Sequence, residues 1–188
     1  MKKRTLALIL ALVLVFGAAV GGTIAYLTDT TGPVENTFTV GNIDISLAET
    51  ATNFKMVPGC DIAKDPKVTV EANSEDCWLF VKIDESRNLD SFISYAVAND
   101  WTQGDGTNIP SNVWYRPVEA ATADQTFSVL AGDQVTVNNN VTKTMMDGLE
   151  VDGAIQPTLT FTACAVQADG FADASAAYVE APAAFKAA

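Results

Sequence analysis

The sequence predicts an all-β fold, in which short strands form an antiparallel β-sandwich and helix is minor. Apolar and polar residues alternate over many short segments, and clusters of Gly, Pro, Asn and Asp separate those segments. No strand–helix–strand order recurs, which favours antiparallel over parallel sheets. The 188 residues contain neither an internal repeat nor a dividing linker. We therefore expect residues 26–188 to form a single domain. An export signal is expected before it, at residues 1–25.

The first strand pattern lies near the expected mature N-terminus. Its apolar residues alternate with Thr, Asn, Asp and Ser, and a Gly41-Asn42 interruption shifts their phase by one residue, as a β-bulge does. These apolar residues are Phe38, Val40, Ile43, Ile45 and Leu47. Val68 and Val70 then alternate with polar residues and predict the next strand.

A longer strand pattern follows, and both of its faces carry apolar residues. One face consists of Cys77, Leu79, Val81 and Ile83, and the other consists of Trp78, Phe80, Lys82 and Asp84. Shorter segments predict strands at residues 92–97, 113–118, 126–130, 134–137 and 156–167. In the last of these, one face carries Leu159, Phe161, Ala163 and Ala165.

Helix is predicted at two places only. Residues 141–149 predict one or two helical turns, and residues 171–180 predict a short Ala-rich helix near the C-terminus. Because proline cannot continue a helix, Pro182 is expected to end the second one and to leave a short tail.

The N-terminal residues predict an export signal. Three basic residues at positions 2–4 precede an apolar run at residues 6–22, which is typical of a signal peptide but is also about long enough to span a membrane. Small residues at positions 23 and 25, with no basic cluster after them, favour cleavage between Ala25 and Tyr26 over a retained anchor.

Two segments around this site have distinctive sequences. Residues 21–30 read GGTIAYLTDT, and residues 36–45 read NTFTVGNIDI. Both segments resemble the TasA/camelysin family of Gram-positive Firmicutes: the first resembles a signal that a dedicated signal peptidase cuts, and the second resembles the first mature strand. The resemblance covers residues 17–47, with a looser likeness at residues 57–59 and 64–70.

The resemblance implies a β-sandwich of jelly-roll type that is secreted and is often assembled into fibres of a biofilm matrix. In such fibres, the N-terminal strand of one subunit completes the sheet of its neighbour. Some relatives are described as metallo-endopeptidases. Because this chain has no histidine and no zinc-binding helix motif, we do not expect it to be a peptidase.

The composition argues against several classes of function. The chain has 11 basic and 23 acidic residues, and removal of the signal would leave 8 against 23, which is a net charge of −15. Such a charge disfavours nucleic acid, whose phosphates require clustered Lys and Arg. Without histidine, neither a Ser-His-Asp nor a Cys-His nucleophile can form. We expect no catalytic residue, no metal and no cofactor.

Three cysteines leave at least one thiol without an intramolecular partner. A disulfide between Cys60 and Cys77 would close a short loop, whereas the apolar face around Cys77 also suits a buried free thiol. Both interpretations of these two cysteines and Cys164 stay open.

Acidic clusters and aromatic residues are the other candidate sites. The acidic clusters are Asp61 with Asp65, Asn99 and Asp100 with Asp105, and Asp147 with Glu150 and Asp152. None matches a calcium loop, so each is interpreted as a solvated turn. The aromatic residues would stack on sugars if they formed an exposed row, but core packing is the simpler interpretation. They include Trp78, Tyr95, Trp101, Trp114 and Tyr115.

These observations predict a secreted structural protein. The expected mechanism is sheet-edge pairing between subunits, with residues 26–47 as the exchanged element, although the same strand could pair within its own sheet. The alternative function is a cell-surface module that binds carbohydrate or a host protein through loops at one end of the fold. The expected partners are other copies of the chain and the signal peptidase, without a membrane anchor after cleavage.

Overall fold

The structure is a computed structural model that describes residues 42–51 and 54–187. In that part of the chain antiparallel strands predominate and helices are short, which confirms the all-β class. The strands are β1 (Ile45–Ala48), β2 (Asp61–Ala63), β3 (Lys67–Val70), β4 (Cys77–Glu85), β5 (Ile93–Ser94), β6 (Thr102–Gln103), β7 (Val113–Val118), β8 (Gln125–Ser128), β9 (Gln134–Val137) and β10 (Leu159–Gln167). The helices are α1 (Leu89–Phe92), α2 (Lys143–Leu149), α3 (Ala174–Val179) and α4 (Ala183–Lys186), and a 3-10 turn spans Ala131–Asp133.

Some of the predicted features lie outside the described residues. They are the cleavage site at Ala25 and Tyr26 and the first two apolar residues of the first strand pattern, Phe38 and Val40. The described residues all belong to one unit, Val40–Ala188. None of the helices in this unit's described part is long and apolar enough to cross a membrane.

The described strands form three antiparallel sheets. Sheet 1 has the strand order β1-β3-β8, sheet 2 has the order β10-β4-β7-β6, and sheet 3 has the order β2-β9-β5. The nine residues of β4 all pair with β10, from Cys77 opposite Gln167 to Glu85 opposite Leu159. On its other side β4 pairs with β7. β4 is therefore an inner strand of sheet 2, flanked by β10 and β7.

Both faces of β4 are buried, which explains why apolar residues occupy both faces of its sequence. Leu79 packs in a first core with Val68 and Val70 of β3, so this core draws on sheets 1 and 2. Phe80 lies on the opposite face and packs in a second core with Tyr178 of α3. The predicted division of β4 into two faces is confirmed.

The other strong strand predictions are confirmed, with shifts at some ends. β7 and β9 have the predicted bounds, and β8 covers Gln125–Ser128 instead of residues 126–130. β10 begins at Leu159 instead of residue 156, because Pro157 has no N–H for the ladder. As predicted, one face of β10 packs against the first core through Leu159, Phe161, Ala163 and Ala165.

The predicted strand at residues 92–97 is wrong in its first part. Leu89 and Phe92 begin and end a helical turn, α1, and only two residues after it join sheet 3 as β5. Further along, Val97 makes a single bridge to Leu130. Because Leu89 and Phe92 are three residues apart, a helical turn places both in a third core, whereas a strand would point them to opposite faces.

Both predicted helices are confirmed, and a side chain caps the first turn of each. Thr142 accepts a hydrogen bond from the main-chain N–H of Met145 at 3.2 Å, and α2 follows it. Asp173 accepts a hydrogen bond from the N–H of Ala176 at 2.9 Å, and α3 follows it. These caps satisfy N–H groups that a first turn leaves unpaired, and they fix where each helix begins.

The short tail predicted after Pro182 is a helical turn instead. α3 ends before Pro182 as predicted, but Pro182 then precedes α4, since its fixed φ is compatible with the start of a helix. α4 buries Phe185, whose ring centroid lies 6.4 Å from that of Tyr178. The segment after the proline is therefore part of the second core.

Candidate functional site

β1 forms an edge of sheet 1 among the described strands. It pairs with β3 of its own chain, with Ile45 opposite Val70 and Leu47 opposite Val68. In its described part, the strand predicted to be exchanged between subunits therefore pairs within its own chain. Its outer main-chain edge faces away from β3, which is the arrangement that permits pairing with a further strand.

The apolar face of β1 is only partly covered. Ile43 and Ile45 are half-buried against the first core, and Leu47 is 37% exposed. The neighbouring residues of β3, Val68 and Val70, are 0% and 2% exposed. β1 therefore lies at the margin of the core, so its removal from sheet 1 would uncover less apolar surface than removal of β3 would.

The other face of β1 carries a row of hydroxyl groups that continues across sheet 1. Ser46 lies opposite Thr69, and Thr69 lies opposite Thr126. The hydroxyl oxygens of Thr69 and Thr126 are 2.8 Å apart. Sheet 1 thus has one apolar and one polar face, as the alternation in the sequence predicts.

The residues before β1 are fastened to the turn after β3. The main-chain N–H of Asp44 donates a hydrogen bond to the hydroxyl of Ser74 at 3.2 Å, and the N–H of Glu71 donates to the carbonyl of Asp44 at 2.9 Å. The N–H of Glu75 donates to the carbonyl of Asn42 at 3.0 Å. These bonds hold residues 42–44 extended and in line with β1.

A buried ion pair lies at the other end of β1. The ammonium of Lys64 donates hydrogen bonds to both carboxylate oxygens of Glu49, at 2.9 and 3.1 Å, and the two side chains are only 10% and 15% exposed. The same ammonium lies 5.3 Å from the ring centroid of Phe54 and 5.2 Å from that of Phe161. Two aromatic faces and one carboxylate therefore surround this cation.

A pocket of about 460 Å³ adjoins Lys64. Most of its lining is apolar: Phe54, Met56, Ile62, Leu89, Ile93, Val135 and Leu159. Because Glu49 neutralises Lys64, the pocket offers apolar surface beside a balanced pair of charges, a combination suited to holding an apolar group. Nothing in the local sequence of Glu49 or Lys64 distinguishes them from solvated loop residues, so this pair could not be predicted.

The three cysteines are free thiols in the structure, and the Cys60–Cys77 disulfide is not formed. Cys60 is exposed, whereas Cys77 lies in the first core and Cys164 in the second. Burial raises the pKa of the Cys77 thiol to about 11 and that of Cys164 to about 12. Both buried thiols are therefore protonated at neutral pH and poorly reactive.

Thiol labelling is expected to separate the three cysteines. In the folded protein, a disulfide reagent such as DTNB should modify Cys60 quickly and leave Cys77 and Cys164 unmodified, because thiolate formation and access both require exposure. Denaturant should release the other two. In a Cys60→Ser variant, the folded protein should not react. Rapid modification of more than one thiol per native chain would contradict the described burial.

Several members of the acidic clusters have partners within the protein itself. Asp65 accepts hydrogen bonds from the N–H and hydroxyl of Thr50 at 2.9 and 2.7 Å, which lower its pKa. Asp147 is paired with Lys143 at 2.6 Å in an exposed i,i+4 arrangement. Over residues 42–51 and 54–187, no group of three or more His, Cys, Asp or Glu side chains is placed to hold a metal ion.

The aromatic residues are divided among different parts of the fold and do not form one exposed row. Trp101 is buried in the first core, and its indole N–H donates to the carbonyl of Ser128 at 2.9 Å. Trp78 and Tyr115 pack edge to face against the second core, with ring centroids 6.2 Å apart. Core packing therefore accounts for these three aromatics.

Comparison of the chain with known protein families, with characterised proteins and with solved structures found no match. The resemblance of residues 17–47 to the TasA/camelysin family remains a prediction. The geometry of β1 and the sequence that precedes it are therefore the basis for a functional proposal.

Proposed function

We propose that this protein is a secreted structural protein, a subunit of extracellular or biofilm-matrix fibres that assembles by strand exchange between copies. One observation carries the proposal: among the described strands, β1 is an edge strand, and its apolar face is incompletely covered at Leu47. The apolar alternation of the same segment begins before β1, at Phe38 and Val40, so the exchanged element would be longer than β1 alone. The proposal includes no catalytic activity and no cofactor.

The fold proposed for the subunit is a β-sandwich of jelly-roll type. Its support is the first core, to which sheet 1 contributes Val68 and Val70 and sheet 2 contributes Leu79 and Val81. Antiparallel sheets that share a core in this way are the basis of sandwich architectures. Sheet 3, with α1 and α2, would then be an addition at one end.

Strand exchange would replace each contact of β1 with the same contact between copies. In the exchanged form, Ile45 of one copy would lie opposite Val70 of the next, and Leu47 opposite Val68. Because the main-chain hydrogen bonds are the same in both forms, assembly would depend on concentration and on the reach of residues 26–41. A head-to-tail exchange that does not close a ring produces a filament.

Export and processing form part of the proposal. A dedicated signal peptidase would remove residues 1–25, and the released chain would carry a net charge of −15 without a membrane anchor. Sequencing of the N-terminus of secreted material should give Tyr26 as the first residue. A first residue elsewhere would remove the support that the signal lends to the resemblance.

Cross-linking between two variants tests the exchange directly. Ser46→Cys and Thr69→Cys are made in separate chains, both in a Cys60→Ser background, because opposite residues on paired strands lie within disulfide distance. If β1 is exchanged, mixing and oxidation under assembly conditions should join the two chains through a bond between positions 46 and 69. Mass spectrometry of the linked peptides identifies that bond.

The matched control mixes Thr69→Cys with Thr126→Cys, two positions that are also opposite each other but lie on β3 and β8. Neither of those strands belongs to the exchanged element, so no bond between chains is expected. Equal cross-linking of both mixtures, or none in either, would refute exchange of β1. A variant that begins at Asn36 should also fail to form fibres in electron micrographs.

A further inference from the structure

A second, polar cleft lies in sheet 2, apart from β1 and from the Lys64 pocket. β7 begins at Val113, which pairs with Lys82, so the last residues of β4, Asp84 and Glu85, extend beyond the ladder with β7. The chain before β7 turns away at this point. The result is a cleft of about 450 Å³ between the end of β4, the end of β6 and the β6–β7 loop.

The loop that forms one wall of this cleft is held firmly. The carboxylate of Asp105 accepts hydrogen bonds from the N–H groups of Thr107, Asn108 and Ile109 at 2.8 to 3.1 Å, and these bonds lower its pKa to about 2. A side chain at Gly104 would place its Cβ 2.2 Å from the carbonyl oxygen of Pro110, so only glycine permits this close approach. The loop therefore presents its cleft-facing residues in fixed positions.

Three side chains of the cleft are hydrogen-bonded within the protein. The side-chain amide of Asn112 donates to Asp84 at 3.1 Å, and that of Gln103 donates to the carbonyl of Ser111 at 2.8 Å. The hydroxyl of Tyr95 donates to one carboxylate oxygen of Glu85.

The lining residues carry further donors and acceptors after these bonds are made, and the donors include the hydroxyl of Ser111 and the indole N–H of Trp114. The acceptors are the amide oxygens of Asn112 and Gln103 and the second carboxylate oxygen of Glu85. A ligand that fits such a wall has groups that both donate and accept hydrogen bonds.

The charges of the cleft disfavour anions, and its two carboxylates do not form a metal site. Lys82 lies 3.3 Å from Asp84 and balances its charge, while Glu85 and the overall net charge of −12 oppose anions. Asp84 and Glu85 are consecutive in a strand and point to opposite faces, so they do not converge on one cation. These features favour an uncharged ligand whose hydroxyl or amide groups both donate and accept hydrogen bonds.

Trp114 adds the remaining feature, an aromatic side chain that is half-buried and lines the cleft. A pyranose ring has hydroxyl donors around its edge and an apolar C–H face that packs on an aromatic ring. We propose that the cleft at the end of β4 binds a neutral saccharide chain. Gln103, Asn112 and Glu85 accept hydrogen bonds from its hydroxyl groups, and Trp114 contacts its apolar face. This site would bring a matrix protein into contact with polysaccharide, which goes beyond self-assembly.

Calorimetric titration of the secreted protein with neutral oligosaccharides tests the proposal. The probes are hexasaccharides of glucose, mannose, xylose and N-acetylglucosamine, in buffer that contains a chelator. At least one should bind, and Gln103→Ala or Asn112→Ala should each weaken that binding about tenfold, as expected for loss of one hydrogen bond to a ligand. The matched control is Gln134→Ala, an exposed glutamine on β9, which should leave the affinity unchanged.

Three results would overturn the proposal. The first is absence of binding by all four probes at millimolar concentration. The second is binding that Gln103→Ala and Gln134→Ala weaken equally, because the cleft would then not be the site. The third is calcium binding, in the absence of chelator and sugar, that Glu85→Gln abolishes, because the cleft would then be a cation site. Circular dichroism of each variant confirms that the fold is retained.

Discussion

Phe80→Ala is expected to lower the free energy of unfolding by about 3–5 kcal/mol, the range typical of a buried Phe truncated to Ala. Phe80 is 0% exposed, and its ring lies against Tyr115 and Tyr178, with centroid distances of 6.2 and 5.4 Å. The truncation leaves a cavity between sheet 2 and the C-terminal helices, where neither layer can close it without breaking its own contacts. Chemical denaturation followed by tryptophan fluorescence measures the loss.

Phe80→Leu is the matched control for this prediction. Leucine keeps most of the apolar volume, so the loss should stay below about 1.5 kcal/mol. If Phe80→Ala destabilises the protein by no more than Phe80→Leu does, then α3 and α4 do not cover β4 in solution. The comparison therefore tests the second core as well as the residue.

Lys64→Met is expected to destabilise the protein by about 3–5 kcal/mol, because it leaves the carboxylate of Glu49 buried without a partner. Replacement of both residues, in a Lys64→Met/Glu49→Leu variant, should restore most of that loss, since apolar side chains suit the pocket that Phe54 and Ile62 line. The wild type and the double variant should both be more stable than the single Lys64→Met variant. Urea denaturation of the three proteins measures this order.

The ion pair between Lys143 and Asp147 provides the control. It has the same kinds of charge, but its side chains are 83% and 52% exposed, so Lys143→Met should change stability by less than about 0.5 kcal/mol. A loss for Lys64→Met as small as that for Lys143→Met would mean that water reaches the inner pair. A double variant less stable than Lys64→Met alone would contradict the argument from burial.

Features of the fold that depend on a few neighbouring residues could be predicted from the sequence. The two apolar faces of β4 are encoded by alternation, and the start of α3 is encoded by Asp173 before an Ala-rich run. By contrast, α1 is too short for a helical period to be recognised. The strand predicted at residues 92–97 includes Phe92 but not Leu89, so the two residues are not recognised as one helical turn. β2 and β6, with three and two residues, are too short for alternation to be recognised.

The candidate sites were less predictable because they combine residues that are far apart in the chain. Glu49 and Lys64 are polar residues in turns, and only the fold brings Phe161 over the ammonium. The cleft depends on where β7 starts relative to β4, a matter of register that composition does not reveal. The sequence identifies Trp114 as an aromatic residue of a strand, but its neighbours in sequence do not reveal that it lines a cleft.

The pairing of β4 with β10 has a consequence for the time course of folding. Glu85 pairs with Leu159 and Cys77 with Gln167, so the longest ladder of the described strands joins residues 74 to 90 positions apart. A long loop must close before such a ladder gains any stability, which makes folding slow. During synthesis, β4 emerges from the ribosome well before β10. The edge of β4 that pairs with β10 therefore stays unpaired in the meantime. If the chain is exported as proposed, that delay favours translocation over premature folding.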